Sequence, residues 1–353
     1  MIPILVASAT PYAGRTLVAL GLALKLKEMD YDVGFLKPLG TVPVKFGSMV
    51  YDADAVFAKE ILGLAEPLDA ISPFVLDYEN QARLLAGDLK DSKKRVLAAE
   101  RLFRKKDFVI MSGANDLFEG FLAGLDALSL AAELKARVLL VEPWRGDASV
   151  DVIAGGAKLL GKQFCGAVLN KVPEAAVEHV KRDVKPFLAK KGVLLYGAFP
   201  RDRFLESVTV RQLNEILNGK LLCCEERLDE HVENFLVGAM DVDSALAYFR
   251  RTPNKAVITG AHRSDIQLAA METSTKCIIL TGGFLTNEVV LGKAKATKTP
   301  ILSVPDDTFT TIDKIESRMG KSSIREPKKV ERAKQLFDVE FDMFGFLNRL
   351  KKV

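Results

Sequence analysis

Six short, nearly continuous apolar runs punctuate the first 218 residues, at 2–7, 33–37, 108–112, 138–142, 164–170 and 193–196. Between most of them, apolar residues recur at helical spacing, as at 54–62, 150–160 and 175–190. A strand that is apolar on both faces must be covered on both. An intervening helix supplies such a cover and returns the chain for a parallel neighbour. The expected fold is therefore α/β, a parallel sheet with helices on both faces, with ligands bound beyond the carboxyl ends of the strands. A helical pattern stops near Asn218 and Gly219, and a smaller α/β unit is expected to follow. Its apolar runs lie at 256–259, 277–280 and 301–304, separated or followed by helical patterns at 264–271, 288–298 and 310–318. The stretch 87–106 is charged, with apolar residues at helical spacing, and is expected to be a solvated helix. Val330, Phe337, Phe341, Phe344 and Leu347 make the tail amphipathic, a pattern expected to dock on the chain's own core, with a partner-binding helix as the alternative. The expected organisation is 1–218, 219–325 and a tail at 326–353, in keeping with two domains for 353 residues.

Composition excludes several classes. With 50 basic and 46 acidic residues the net charge is +4, too small to imply nucleic acid, and no basic stretch is interleaved with aromatics. No apolar segment approaches the roughly 18 residues of a membrane span. The N-terminal apolar run has no basic leader and does not read as a signal peptide. Cys165, Cys223, Cys224 and Cys277 form neither a disulfide framework nor a C-x-x-C pair, so reduced thiols in a cytoplasmic protein are expected. His179, His231 and His262 are far apart, which disfavours histidine-based metal or triad chemistry.

The stretch S-A-T-P-Y-A-G-R-T, at 8–16, lies between the first strand and the first helix. A phosphate-binding loop belongs in that place, where backbone N–H groups turn inward at a helix N-terminus. The usual pattern G-x-x-x-x-G-K-[ST] is altered, with Ser8 for the first glycine and Arg15 for the lysine. Ala13 and Gly14 form the tight part of the loop, and the Thr16 hydroxyl is a candidate for Mg2+. A guanidinium is larger and forked where an ammonium is a compact charge, so binding survives this change better than catalysis does. Lys37 ends the second strand, Asp52 and Asp54 stand at a helix start, and Asn170 follows a later strand. N-capping accounts for Asp52.

Taken in order, the loop at 8–16, K-P at 37–38, the acids at 52–54, S-G-A at 112–114, L-N-K-V-P at 169–173 and F-P-R-D-R-F-L-E-S-V-T-V-R-Q-L at 199–213 carry a resemblance. Residues 1 to about 218 resemble the dethiobiotin synthetase-type P-loop domain, as found in the N-terminal region of long phosphotransacetylases. The resemblance implies ATP or ADP as ligand, with Gly14, Arg15, Thr16 and Lys37 facing phosphates, Asp54 facing Mg2+ and Asn170 facing the adenine. Two departures stand out: Arg15 at the loop lysine, and Ser112 where the family has a metal-side glutamate. Glu142 and Asp116 are the candidate substitutes. Losing both standard charges implies slow phosphoryl transfer and a weakened Mg2+ site.

Residues 220–325 resemble the DRTGG domain, with His262, Arg263, Ser264, Gly282 and Gly283 at its named positions. Arg263, Ser264, Gly282 and Gly283 are candidates for a small anionic ligand. Simple packing roles for them stay open: a helix cap, a turn, and an Arg263 pair with Asp265 or Asp307. The acyl-transfer domain of phosphotransacetylases is expected to be absent, since only about 25 residues follow. The leading expectation is an adenine-nucleotide-binding regulatory protein, homodimeric, acting on an unidentified metabolic partner. The alternatives are an ATP-dependent ligase or cyclase activating a carboxylate, and a structural oligomerisation module that binds no nucleotide.

Overall fold

All six apolar runs of the N-terminal region become strands of one parallel sheet. In a computed structural model, residues 1–47, 49–89, 91–318 and 324–351 are described. The first unit contains β1 (Ile2–Ala7), β2 (Val33–Leu36), β3 (Pro43–Phe46), β4 (Met49–Asp52), β5 (Phe108–Ser112), β6 (Arg137–Pro143), β7 (Phe164–Val172) and β8 (Leu195–Pro200). Six of these form the sheet β2-β5-β1-β6-β7-β8, parallel throughout. Ile4, Leu5, Val6, Val109, Ile110, Leu139, Leu140 and Val168 are wholly buried, as strands covered on both faces require. β3 and β4 form a separate antiparallel hairpin that leads into the helix α2 (Ala53–Leu62).

The chain divides into two compact units, Met1–Arg201 with Ser323–Val353, and Asp202–Ser322. The division falls before the expected position at 218. The reason is packing: Val208, Val210, Leu213 and Leu217 are buried in one cluster with Ala256, Ile258, Cys277 and Ile279. The second unit contains β9 (Val208–Thr209), β10 (Lys220–Cys223), β11 (His231–Val232), β12 (Asn234–Val237), β13 (Lys255–Gly260), β14 (Thr275–Thr281) and β15 (Ile301–Ser303). Its main sheet runs β10-β15-β14-β13-β12, five strands where three were expected. β12 to β15 are parallel and β10 is antiparallel at the edge, while β9 and β11 pair apart.

The tail belongs to the first unit. The helix Pro327–Glu340 packs along α1 (Arg15–Glu28). Gly21 is the reason they approach closely: a Cβ there would lie 2.5 Å from the Phe337 ring. Phe337 also meets Phe199 edge-on at 5.1 Å and stacks on Phe341 at 4.7 Å. Lys25 pairs with Asp338, and Lys334 with Glu28. Beyond this helix the Asp342 N–H donates to the Tyr196 carbonyl at 2.7 Å. Phe344 alone of the expected apolar positions is largely exposed. In the stretch 87–106 the helix is Ser92–Glu100, and Val96 and Phe103 turn a buried face inward.

Candidate functional site

The order of the sheet reverses at β1, which lies between β5 and β6. A crevice opens beyond strand ends at such a reversal, and the loop 8–14 emerges there. Gly14 has φ +94°, left-handed, and a Cβ on it would overlap the Asn170 carboxamide nitrogen. Glycine is therefore required twice over, by conformation and by space. α1 begins directly after it with no side-chain cap and no acidic residue in its first turn. α2, by contrast, is capped by Asp52 Oδ1, which accepts from the Asp54 and Ala55 N–H groups. Asp52 Oδ2 accepts from Thr41 and Val42, so this carboxylate is structural, as N-capping anticipates.

Two buried cations lie beside the loop, and both point at the end of β5. Arg15 Nη1 donates to the Gly113 carbonyl at 2.5 Å and Nη2 to Asn115 Oδ1 at 3.1 Å. Lys37 Nζ donates to the same Gly113 carbonyl at 2.8 Å. Burial lowers the Arg15 pKa, opposed by the charges of Asp54, Glu119, Asp116 and Asp52. Burial also lowers that of Lys37, with Asp52 opposing and Arg15 reinforcing. The arginine is thus held by the β5 loop, a different bonding from a compact ammonium between phosphates. Arg15 Nε and Ser112 Oγ are buried and have no hydrogen-bond partner among the described residues.

Thr16 and Asp54, expected at Mg2+, are brought together, but they bond each other: the hydroxyl donates to Asp54 Oδ2 at 2.9 Å. Arg325, on the segment returning from the second unit, places Nε 3.5 Å from Asp54 Oδ1. Mg2+ demands near-octahedral oxygen ligation at about 2.0–2.1 Å. One carboxylate already engaged by a hydroxyl and a guanidinium, with Ser112 in place of an acid, does not fit that demand. No group of three or more His, Cys, Asp or Glu placed to hold a metal occurs among the described residues.

Asn170 reaches the loop from the end of β7. Its Nδ2 donates to the Ala13 carbonyl at 2.8 Å and its Oδ1 accepts from the Lys171 N–H at 2.9 Å. It therefore clamps the loop backbone. Glu142, at the end of β6, is wholly buried, and its Oε1 accepts from Thr10 at 2.7 Å and Arg145 at 2.8 Å. Burial raises its pKa against those two partners, and Oε2 has no partner among the described residues. Asp116, the other candidate carboxylate, caps the Phe118 and Glu119 N–H groups at 2.8 Å. Sequence reasoning missed Arg325 and Thr10. Nothing in the sequence relates Arg325 to Asp54, whereas Thr10 lay within the quoted loop.

In the second unit, the ends of β13, β14 and β15 do lie side by side. Their candidate groups are engaged internally. Arg263 pairs with Asp265 at 2.9 Å and donates to the Met240 carbonyl at 2.8 Å. Ser264 accepts from Asn287 at 2.9 Å. Gly282 and Gly283, both left-handed, donate their N–H groups to the Asp306 and Val304 carbonyls.

Comparison with known proteins accords with this geometry. Residues 3–209 match the AAA domain family, and residues 212–318 match the DRTGG domain. A phosphate acetyltransferase of Synechocystis sp. is 25% identical over 361 residues, 97% of this chain and 50% of that protein. One from Nitratidesulfovibrio vulgaris is 26% identical over 297 residues, 78% of this chain and 41% of that protein. An ATP-dependent dethiobiotin synthetase of Bacillus cereus is 24% identical over 226 residues, 63% of this chain and 90% of that protein. The chain spans about half the length of the phosphate acetyltransferases it matches. No helix among the described residues is long and apolar enough to cross a membrane. Strand order, loop position and the match over more than half its length agree: the chain belongs to the AAA domain family, in the form where that domain precedes a DRTGG domain.

Proposed function

We propose that the chain is an adenine-nucleotide-binding regulatory protein whose ligand lies with its phosphates over Gly14–Thr16. The observation that carries this is the uncapped N-terminus of α1 behind a left-handed Gly14, at the point where the sheet order reverses. First-turn N–H groups and the helix dipole there favour an anion. Lys37 and Arg15 add positive charge nearby. The relatives that match the first unit include an ATP-dependent dethiobiotin synthetase, which supports ATP or ADP as the ligand class. Slow turnover accompanies this reading, because no carboxylate stands at Ser112 and Arg15 is committed to Gly113. Titration of the full chain with ATP, ADP and GTP tests it. Adenine nucleotides should bind at micromolar to submillimolar concentration, and Thr16→Ala and Lys37→Ala should each weaken binding about tenfold, the loss of roughly one charged or strong hydrogen bond. No binding at millimolar nucleotide, or unchanged affinity in both variants, refutes the assignment.

The same reading includes a homodimer with the second unit supplying much of the interface. A unit of this size has a small core, and the sheet ends in short, partly exposed strands, β10 and β12. Two-fold pairing is the commonest closed arrangement for soluble chains. Light scattering on the full chain at micromolar concentration decides it, and a monomer refutes it.

A further inference from the structure

Asp54 is the acidic residue nearest the start of α1 that also engages Thr16, the hydroxyl at the loop end. Its other oxygen faces a cation supplied by this same chain. Arg325 Nε lies 3.5 Å from Asp54 Oδ1, and about a third of the arginine side chain stays exposed. The arginine stands between a buried residue and a docked helix. Ile324 before it is buried, and the helix Pro327–Glu340 after it is locked to α1 through Phe337 on Gly21. The placement follows from that docking and is not that of a side chain on a loose end.

A guanidinium offers several N–H donors in a planar fork that suits phosphate oxygens, and it stays charged under all ordinary conditions. Paired with Asp54, whose other oxygen accepts from Thr16, it stands in the neighbourhood where a divalent ion would neutralise phosphate charge. Arg15 and Lys37 already concentrate positive charge beside the loop; burial lowers the pKa of each, and the Arg15 charge lowers that of Lys37 further. A further dication at Thr16 would have to enter beside three cations, and Asp54, the carboxylate that meets that hydroxyl, is already paired with one of them.

We propose that Arg325 takes the place of the divalent cation at the phosphate loop, so that adenine nucleotide binds to this protein without Mg2+. The proposal rests on the nucleotide reading above. Because Arg325 lies on the segment that returns from the second unit, the group completing the nucleotide site is carried by the part of the chain that follows the DRTGG domain.

Calorimetric titration of the full chain with ADP and ATP, in excess Mg2+ and in EDTA, tests this. In the wild type the two affinities should agree within about threefold. Arg325→Gln in EDTA should bind about tenfold more weakly or worse, as expected for one charge-assisted contact, and Mg2+ should restore at least about threefold. Arg325→Lys should keep part of the affinity in EDTA. Asp54→Asn supplies the opposite sign: with the carboxylate neutralised and Arg325 retained, binding in EDTA should be as tight as wild type or tighter. A metal-using site would instead lose affinity in that variant when Mg2+ is present. Wild-type binding that tightens tenfold or more with Mg2+, an Arg325→Gln affinity equal to wild type in EDTA, or a tenfold loss in Asp54→Asn overturns the proposal while leaving nucleotide binding standing. Absence of binding by the wild type in both conditions overturns the nucleotide reading itself.

Discussion

The contact between Gly14 and Asn170 predicts a specific coupling between two positions 156 residues apart. Gly14→Ala puts a methyl-bearing residue at φ +94° and drives its Cβ into the Asn170 carboxamide. The left-handed conformation costs an L-residue roughly 1–2 kcal/mol. Expelling the carboxamide breaks its bond to the Ala13 carbonyl, and leaving buried groups unpaired costs about 1–3 kcal/mol more. The single substitution should therefore destabilise the first unit by about 2–5 kcal/mol. Asn170→Ala loses the same bond without the conformational term, about 1–3 kcal/mol. In the double variant the clash has nothing to strike and the bond can be lost only once, so its cost should fall short of the sum by at least about 1 kcal/mol. Trp144 is the sole tryptophan, and its backbone N–H donates to the Asn170 backbone carbonyl at 2.8 Å. Urea unfolding followed by its fluorescence reports the first unit and keeps the second out of the signal. Costs that add to within about 0.5 kcal/mol would refute the reasoning, because independent sites behave that way.

ATP hydrolysis should run below roughly one turnover per second, and Arg15→Lys with Ser112→Glu should raise it; a coupled phosphate-release assay showing faster wild-type turnover means another carboxylate, Glu142 first, does the work. Gly21→Ala forces Phe337 outward and should cost about 1–3 kcal/mol, detectable as faster protease release of the segment 324–351 by mass spectrometry. Lys255 is buried, with its pKa lowered to about 8, so the unfolded chain binds its proton more readily between pH 8 and the ordinary lysine value of 10.5. Stability of the second unit should accordingly rise with pH across that window, and Lys255→Met should remove this rise in urea titrations at pH 7.5 and 9.5.

The parallel sheets were legible because their central strands are apolar on both faces; Ile2–Ala7 and Phe108–Ser112 begin and end where the sequence pattern does. Edge elements were not. β12 (Asn234–Val237) and β10 (Lys220–Cys223) are partly exposed and lack a continuous apolar run, and Phe46 and Met49 of the β3–β4 hairpin face outward. The compact units divide before 218 because the helix Val210–Ile216, whose stop the sequence marks, already packs in the second core. At the site, the loop and its companion residues could be read from motif order. The direction of Arg15 could not, because the carbonyl that holds it lies 98 residues away and its approach is a property of the finished sheet. Arg325 carried no motif at all.

The return of residues 324–351 to the first unit has a consequence for how the protein is made. α1 and β8 emerge early from the ribosome, yet the surface that covers Gly21, Tyr196 and Phe199 is encoded beyond the whole of Asp202–Ser322. At ~5–20 residues per second, synthesis of that intervening stretch takes on the order of 6–24 s. The second unit is continuous in sequence and has its own core, so it can close while the first still waits with an apolar face open. During that interval the nascent first unit exposes an apolar face, the condition that draws chaperones and invites aggregation. Trimming the C-terminal helices would prolong this exposed state indefinitely, so the tail acts as the closing step of the N-terminal fold.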